Sequence, residues 1–255
     1  MTFAINSTIK GKTALITGGT KNLGGETAKD LAAHGVNLFL HYRSDASQAA
    51  KFKEDLQKQY PDVKIEIYQG ALDKADDVTK LFDAALTKFE KGIDFAINNV
   101  GKVLKKPLIE VTEAEFDELD LVNNKVAFFF LKEAGKKVND NGRIVSLVTS
   151  LLAAYTPFYS GYQGTKSPVE WYSKALSKEI YDRGISVNNV APGPMDTPFL
   201  YGQETPESIA YYKTVGLGQR LTETSDIVPI IRFLVSEGAW VTGQTIFASG
   251  GFTAH

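Results

Sequence analysis

The chain has 255 residues and a formal net charge of −2, from 28 Lys and Arg against 30 Asp and Glu. This balance provides no basic field for a polyanion, so we predict neither a nucleic acid nor a membrane as partner. The absence of cysteine excludes disulfides, zinc-thiolate sites and iron-sulfur clusters, and we expect no metal site. No apolar run of signal-peptide length opens the chain and no run of about 18 apolar residues occurs in it, which predicts a cytoplasmic protein.

Short apolar runs alternate with longer amphipathic segments along the chain. Helices are predicted at 22–34, 46–60 and 169–183, each ending before a Gly or Pro. The alternation predicts a doubly wound α/β fold, in which helices cover both faces of a parallel sheet. Because no linker or internal repeat interrupts it, we treat residues 1–255 as one domain. Seven strands are predicted, at Ala14–Thr17, Val36–His41, Val63–Tyr68, Phe95–Asn98, Arg143–Val148, Ser186–Val190 and Thr245–Ala248.

Residues 194–220, the excursion, depart from this pattern, with three prolines, three tyrosines and few apolar core positions. In a doubly wound fold, ligands bind beyond the carboxyl ends of the strands, and a long insertion there is a candidate substrate lid. An ordinary helical loop is the alternative interpretation.

A glycine-rich turn lies between the first predicted strand and the first predicted helix, at residues 17–25. Glycines allow the backbone to approach a pyrophosphate, and the free amides at the start of the helix attract its negative charge. The segment therefore predicts a phosphate cradle, although such turns are common in doubly wound folds.

Two cations indicate the phosphorylated form of a dinucleotide. Lys21 lies within the turn, and Arg43 and Ser44 follow the second strand, where NAD-preferring folds carry a carboxylate. A guanidinium and a hydroxyl suit a 2′-phosphate, which a carboxylate would repel. We therefore predict NADPH rather than NADH as the cofactor. The alternative is that both cations are solvated surface charges.

Tyr162 and Lys166 are four residues apart, on one face of a helix if this segment is helical. A phenol has a pKa near about 10, and a neighbouring ammonium group stabilises the phenolate and brings that pKa toward neutrality. The pair therefore predicts acid-base chemistry. Thr149 and Ser150, after the fifth strand, offer hydroxyls to a substrate carbonyl. Because side chains alternate along a strand, only one of the two is expected to face the site.

Together and in this order, the motifs resemble those of the short-chain dehydrogenase/reductase family across residues 12–251. The resemblance implies a Rossmann fold and a dehydrogenase or reductase mechanism. The matching residues are Thr17, Gly18 and Gly24 for a TGxxxGxG turn, Asn98, Asn99, Val100 and Gly101 for NNAG, Val122 and Asn123 for VN, Tyr162 and Lys166 for YxxxK, and Pro192 and Gly193 for PG, with Thr197 downstream.

The resemblance implies a role for each catalytic residue. Tyr162 would protonate the substrate carbonyl as hydride arrives from the nicotinamide, or deprotonate the alcohol in reverse. Lys166 would lower the pKa of Tyr162 and hold the nicotinamide ribose, and Asn123 would hold a water that relays protons to Lys166. The serine that is usual in the family falls on Thr149 here, which we prefer to Ser150 as the catalytic hydroxyl.

The resemblance also implies a cofactor site that extends from the glycine turn to the segment after the sixth strand. The predicted cofactor-binding residues are Gly18, Thr20, Lys21, Asn22, Leu23, Gly24, Arg43, Ser44, Ala71, Leu72, Asn98, Val100, Gly101, Tyr162, Lys166, Pro192, Gly193, Met195 and Thr197.

Several positions depart from the family pattern. Asn22 replaces a glycine of the turn, but asparagine tolerates a left-handed backbone better than most residues. Val100 replaces the alanine of NNAG, and Ala71 stands where an aspartate usually lies near the adenine. Pro168 follows Lys166 closely and lacks a backbone N–H, which predicts a kink in the catalytic helix.

We therefore predict an NADPH-dependent carbonyl reductase that acts on a ketone, an aldehyde or an oxoacyl group. A catalytically weak, redox-sensing NADP-binding protein is the alternative, whereas the spacing of Tyr162 and Lys166 argues against an enoyl reductase. The family resemblance further implies a homodimer or homotetramer that associates through the helices around 113–137 and 169–183.

Two features bear on the small-molecule substrate. Aromatic residues around the predicted pocket suggest an apolar or ring-shaped ligand, although aromatic side chains fill protein cores equally well. A basic run at Lys102, Lys105 and Lys106 favours an anionic substrate, unless these lysines are simply solvated. The aromatic residues are Tyr155, Phe158, Tyr159, Phe199 and Tyr201.

Overall fold

The computed structural model of the protein describes residues 8–154 and 156–253, so the predicted pocket residue Tyr155 lies outside the described residues. Seven strands form one sheet in the order β3-β2-β1-β4-β5-β6-β7, and each neighbouring pair is parallel. The predicted seven-stranded parallel sheet is confirmed. The strands are β1 Thr13–Ile16, β2 Asn37–Tyr42, β3 Ile65–Gln69, β4 Ile93–Asn98, β5 Val138–Leu147, β6 Ser186–Pro192 and β7 Thr245–Ala248.

Helices follow most of the strands. The π-helical turn Leu121–Lys125 connects two successive helices. In the part of the chain that the structure describes, no helix combines the length and the apolar character that a membrane span needs. The helices are α1 Asn22–Ala33, α2 Ala46–Gln59, α3 Ala75–Lys88, α4 Glu113–Asp120, α5 Val126–Lys137, α6 Ser160–Glu179, α7 Pro198–Tyr201, α8 Pro206–Val215 and α9 Thr224–Val235.

The two faces of the sheet are buried under different helices, because successive strand residues point in opposite directions. Ala14 and Ile16 of β1 belong to one core cluster, together with Leu31 of α1 and Ile231 of α9. Leu15 belongs to the other cluster, which residues of α3 and α5 complete. Burial on both faces explains why these strands are continuous apolar runs.

Helix α6 differs from its prediction. It covers Ser160–Glu179 without interruption, although the sequence pattern predicted 169–183. Two glycines and Pro168 weaken the helical pattern here, but the side chains of Tyr162 and Lys166 are buried in the fold. Tertiary packing therefore overrides the local propensity, and the helix continues through the position of the predicted kink.

The order of the strands places a ligand site at the centre of the sheet. The chain crosses from β3, at one edge, to β4, which pairs with β1. Such a reversal of strand order leaves a crevice beyond the carboxyl ends of the two central strands, where doubly wound folds bind ligands.

Candidate active site

A cavity of about 680 Å³ lies in this crevice. Its wall is formed by the glycine turn, by the segment after β2 and by residues of the excursion. Thr149, Tyr162 and Lys166, which the sequence predicted as catalytic, are also on this wall. Most of the predicted cofactor residues and three of the four predicted catalytic residues therefore line one cavity.

The glycine turn adopts the left-handed backbone expected of its sequence. Gly18 has a φ of +61° and Asn22 a φ of +49°, so the asparagine takes the conformation that allows it to replace glycine. Gly24 lies so close to the turn that a Cβ atom there would be 2.2 Å from the carbonyl oxygen of Gly18. A side chain at position 24 would therefore separate α1 from the turn.

Helix α1 begins at the cavity and presents its positive end there. Within the described residues, the side chain of the N-cap residue Lys21 forms no capping hydrogen bond with this end of the helix. The first turn of the helix contains no acidic residue. Lys21, Asn22 and Leu23 all line the cavity. Helix N-terminal amides without an intramolecular acceptor bind anions, so this end of the cavity suits a phosphate group.

Two cations face the same cavity. Lys21 and Arg43 line it, and neither forms an ion pair with another residue in the described ranges 8–154 and 156–253. The nearby carboxylate of Asp45 is already engaged as the N-cap of α2, where it accepts a hydrogen bond of 3.0 Å from the amide of Gln48. Uncompensated cations beside a helix N-terminus suit a second anionic group.

His41 connects the glycine turn to the end of β3, a role that sequence reasoning missed. Its Nδ1 accepts a hydrogen bond of 3.3 Å from the amide of Gly18, and its Nε2 donates one of 2.8 Å to the carbonyl of Gly70. Burial lowers the pKa of His41, so the ring stays neutral with its proton on Nε2. The signal available was a histidine that directly follows the apolar run Leu38, Phe39 and Leu40.

The hydroxyl of Thr17 joins the segments that follow β1 and β4. It accepts hydrogen bonds from the amides of Asn99 and Val100, at 2.9 and 3.2 Å, and donates one of 3.3 Å to the side chain of Asn98. The side-chain amide of Asn99 donates in turn to the carbonyls of Thr17 and Gly18. The segment after β4 therefore holds the glycine turn in place.

Tyr162 is buried in α6, and its hydroxyl interacts with the side chain of Thr149. Burial raises the pKa of Tyr162 to about 12, whereas the hydrogen bond with Thr149 acts to lower it. The phenol is therefore protonated at neutral pH and can serve as an acid. Thr149 is the hydroxyl that the sequence favoured over Ser150, although both residues line the cavity.

Lys166 is buried one helical turn beyond Tyr162, and its ammonium group donates to backbone carbonyls. Its Nζ lies 3.0 Å from the carbonyl oxygen of Leu147 and 3.5 Å from that of Val100. Burial lowers the pKa of Lys166 to about 8, which leaves it mostly charged at neutral pH. The resemblance implied that Lys166 lowers the pKa of Tyr162. This role of Lys166 stays a prediction.

Asn123 lies in the π-helical turn between α4 and α5, a local widening that is frequent at functional sites. Its Oδ1 accepts a hydrogen bond from the amide of Lys102, while its Nδ2 donates to the carbonyl of Lys102 and to the hydroxyl of Thr165. The residue is buried outside the cavity wall and attaches the loop after β4 to α6. Its predicted role in holding a water stays a prediction.

Most of the predicted cofactor-binding residues lie on the cavity wall. Ala71 does not, because it is exposed outside the cavity while its neighbours Gly70 and Leu72 line it. Gly24 and Asn98 are also off the wall, since they support the glycine turn from behind. Those on the wall are Gly18, Thr20, Lys21, Asn22, Leu23, Arg43, Ser44, Leu72, Val100, Gly101, Tyr162, Lys166, Pro192, Gly193, Met195 and Thr197.

The basic run after β4 is compensated within the protein. Each of its three lysines forms an ion pair with a carboxylate, so the run provides no free charge for an anionic substrate. Sequence reasoning missed all three acidic partners because they lie at other places in the chain. The pairs are Lys102 with Glu118, Lys105 with Glu204 and Lys106 with Glu115.

Comparison with known proteins shows the family. Residues 18–253 match a family model described as enoyl-(acyl carrier protein) reductase. An NADPH-dependent aldehyde reductase-like protein, chloroplastic, from Arabidopsis thaliana is 32% identical over 96% of this chain and 95% of its own length. A short-chain type dehydrogenase/reductase from Picea abies is 29% identical over 94% of this chain and 92% of its own.

Solved structures agree with this result. A protein from Burkholderia cenocepacia described as a dehydrogenase, with bound NADP, is 49% identical with a TM-score of 0.94, over 98% of this chain and 96% of its own. The angucycline C-6 ketoreductase LanV, also with bound NADP, is 29% identical with a TM-score of 0.88, over 96% of both chains. The chain belongs to the short-chain dehydrogenase/reductase family, an oxidoreductase family, which confirms the predicted resemblance.

Proposed function

We propose that the protein is an NADPH-dependent carbonyl reductase acting on a ketone, an aldehyde or an oxoacyl group. The observation that carries this proposal is that Tyr162, Thr149 and Lys166 share one cavity with the anion-binding glycine turn. The Arabidopsis relative, named as an NADPH-dependent aldehyde reductase-like protein, and the NADP-bound ketoreductase LanV support it.

The residues present fit NADP(H). Gly18 lines the cavity without a side chain, Gly24 allows α1 to pack against the turn, and the start of α1 provides amides for a pyrophosphate. Lys21 and Arg43 would neutralise the additional charge of a 2′-phosphate, which NADH lacks. When bound, NADPH supplies the hydride for reduction of the carbonyl carbon.

The side chains of this site would move the proton. Tyr162 is protonated at neutral pH and would donate its proton to the carbonyl oxygen as negative charge develops there. The Thr149 hydroxyl would donate a hydrogen bond to the same oxygen and so orient the substrate. The charged Lys166 would stabilise the phenolate that remains on Tyr162. In the reverse direction, that phenolate would accept the proton of the alcohol.

The excursion would form the substrate lid of this domain. Its residues Phe199, Glu204 and Tyr212 line the cavity, which supports a lid over the alternative of an ordinary helical loop. We propose that it encloses the substrate next to Tyr162.

The matched family model is described as an enoyl reductase, but we favour carbonyl reduction. The four-residue spacing of Tyr162 and Lys166 on α6 argues against an enoyl reductase, and Tyr162 has the hydroxyl of Thr149 beside it. The redox-sensing alternative has less support, because Tyr162, Thr149 and Lys166, which would carry the proton transfer, all line the cavity.

The test is to follow NADPH oxidation by the purified protein with a panel of ketones, aldehydes, oxoacyl thioesters and enoyl thioesters. Tyr162→Phe should lose turnover by about 10²- to 10⁴-fold, because it removes the proton donor, while NADPH binding is retained. Unchanged turnover of Tyr162→Phe would reject the catalytic assignment. NADPH binding without turnover of any carbonyl would favour the redox-sensing alternative.

We also propose association into a homodimer or homotetramer through α4, α5 and α6. Phe116, Phe128 and Trp171 of these helices are 48%, 45% and 67% exposed, and association through these helices would bury them. Light scattering of the purified protein tests this. Trp171→Glu should shift the particle mass toward that of one chain, and a wild-type monomer would reject the proposal.

A further inference from the structure

A buried carboxylate of the excursion stands beside the catalytic tyrosine. The side chain of Glu204 has 0% exposed surface and pairs with Lys105 at 2.5 Å. It also accepts hydrogen bonds from the hydroxyls of Tyr159 and Tyr212. These four residues, the Glu204 cluster, join the loop after β4, the residue that precedes α6 and the excursion.

The Glu204 cluster is neutral as a whole. Burial alone would raise the pKa of Glu204, but the hydrogen bonds from Lys105, Tyr159 and Tyr212 outweigh it, so this pKa is lowered. Burial raises the pKa of both tyrosines, and the neighbouring carboxylate raises it further. One ammonium group and two neutral phenols therefore compensate one carboxylate.

The cluster holds aromatic rings on the cavity wall. The ring centroids of Tyr159 and Tyr162 are 6.2 Å apart, and those of Tyr162 and Phe199 are 6.3 Å apart. The ring of Tyr212 lies 5.7 Å from that of Phe252. All five rings line the cavity. Because the hydroxyls of Tyr159 and Tyr212 are bound to Glu204, these side chains offer ring surface to a ligand.

The Glu204 cluster offers a ligand no uncompensated charge. Glu204 lines the cavity, whereas Lys105 lies behind it and is not among the wall residues within the described ranges. Lys102 and Glu118 also line the cavity, and the charge of each is neutralised by the other. An anionic ligand would therefore find no free cation in the Glu204 cluster, because Lys105 is already paired with Glu204.

We propose that Glu204 is a positioning residue that selects neutral aromatic carbonyl compounds, by holding Tyr159 and Tyr212 as ring walls and keeping Lys105 compensated. This inference rests on the proposed carbonyl reductase function. A flat ring gains contacts with the wall in addition to the burial of its apolar surface. A carboxylated ring finds no uncompensated cation in the cluster and loses part of the hydration of its charge.

The first experiment measures kcat/KM of the wild-type protein with NADPH and three aldehydes: benzaldehyde, para-carboxybenzaldehyde and hexanal. Benzaldehyde should be preferred by about tenfold over each of the others, which corresponds to about 1.4 kcal/mol. A preference for hexanal or for the carboxylated aldehyde would overturn the inference. Absence of turnover with every carbonyl tested would instead reject the proposed function.

The second experiment uses Glu204→Gln, which keeps the size of the side chain and removes its charge. Because Lys105 is then uncompensated, kcat/KM for para-carboxybenzaldehyde relative to benzaldehyde should rise about tenfold, mainly through KM. Adding Lys105→Met should reverse this gain. A merely structural role of Glu204 would lower the activity with all three aldehydes alike, and that result would overturn the inference.

Glu115→Gln is the matched control, since Glu115 pairs with Lys106 on the same loop but neither residue is on the described cavity wall. It should leave the ranking of the aldehydes unchanged. If Glu204→Gln does not fold, Tyr212→Leu at a half-buried position replaces it. This variant should reduce the preference for benzaldehyde over hexanal several-fold with unchanged NADPH binding, and an unchanged preference would overturn the inference.

Discussion

Gly101 and Lys166 lie so close together that a Cβ atom at Gly101 would be 2.9 Å from the lysine Nζ and 3.1 Å from its Cε. The missing side chain leaves the ammonium group room to reach the carbonyls of Leu147 and Val100. Gly101 is not among the glycines with positive φ, so its backbone does not require glycine. The close approach of Lys166 therefore explains why position 101 is glycine.

Gly101→Ala should lower kcat about tenfold or more, because the new methyl group displaces the Lys166 ammonium. Its stability should change by no more than about 1 kcal/mol, since the obstructing atoms are the end of a flexible side chain. Steady-state kinetics and thermal unfolding check the two effects. The control is Gly164→Ala on α6, where a Cβ atom meets no heavy atom within 4 Å, so activity should persist and stability rise by about 0.5–1 kcal/mol. An unchanged kcat in Gly101→Ala contradicts the prediction.

Arg43→Ala should weaken NADPH binding about 10- to 100-fold and leave NADH binding nearly unchanged. The reason is that a charge-assisted contact with the 2′-phosphate contributes about 1.5–3 kcal/mol and NADH lacks that group. Titration of the purified variants with both nucleotides measures the ratio of the dissociation constants. Lys51→Ala is the control, because Lys51 is an exposed lysine of α2 that pairs with Asp55 away from the cavity. A ratio that stays at its wild-type value in Arg43→Ala excludes Arg43 as the phosphate ligand.

Thr149→Val should reduce kcat about 10- to 100-fold, because valine keeps the shape of threonine and removes the hydroxyl that interacts with Tyr162. Ser150→Ala should reduce it by less than about threefold, since Thr149 is the residue that contacts the phenol. Kinetics of the two variants with one ketone and saturating NADPH compare the hydroxyls directly. If Ser150→Ala is the more damaging change, the catalytic hydroxyl has been assigned to the wrong residue.

Burial of the charged Lys166 should lower the free energy of unfolding at neutral pH. Burial lowers its pKa from 10.5 to about 8, so between these values the unfolded chain binds a proton that the folded chain does not, and stability rises with pH. At pH values below both pKa values, Lys166 lowers the free energy of unfolding by its full amount, at most about 3 kcal/mol. Lys166→Met removes the titrating group, so its stability relative to wild type should be higher at pH 7 than at pH 10, while turnover falls about 10³-fold.

Urea unfolding of wild type and Lys166→Met at the two pH values measures the change. The difference in unfolding free energy between the two proteins should vary with pH. Contacts that the substitution removes contribute equally at both pH values and therefore cancel. A difference that does not vary with pH would show that Lys166 keeps its ordinary pKa.

Local patterns in the sequence predicted the parallel sheet and the glycine turn that lines the cavity. Strand and helix periodicity, together with the turn at 17–25, depends on neighbours a few residues apart, and the structure retains those elements. Asn22 illustrates this, because its tolerance of a positive φ is a property of the residue itself. The helix around Tyr162 and Lys166 is an exception, because the sequence pattern predicted a helix only at 169–183 and α6 begins at Ser160.

Tertiary structure decided what depends on contacts between distant segments. Burial raises the pKa of Tyr162 and lowers that of Lys166, and neither burial can be read from the spacing of the pair. Glu204 lies 45 residues from Tyr159 and 99 from Lys105 in the chain, so no local pattern linked them. The charge of a residue is a property of its sequence, but its compensation and desolvation arise only when the fold brings other elements around it.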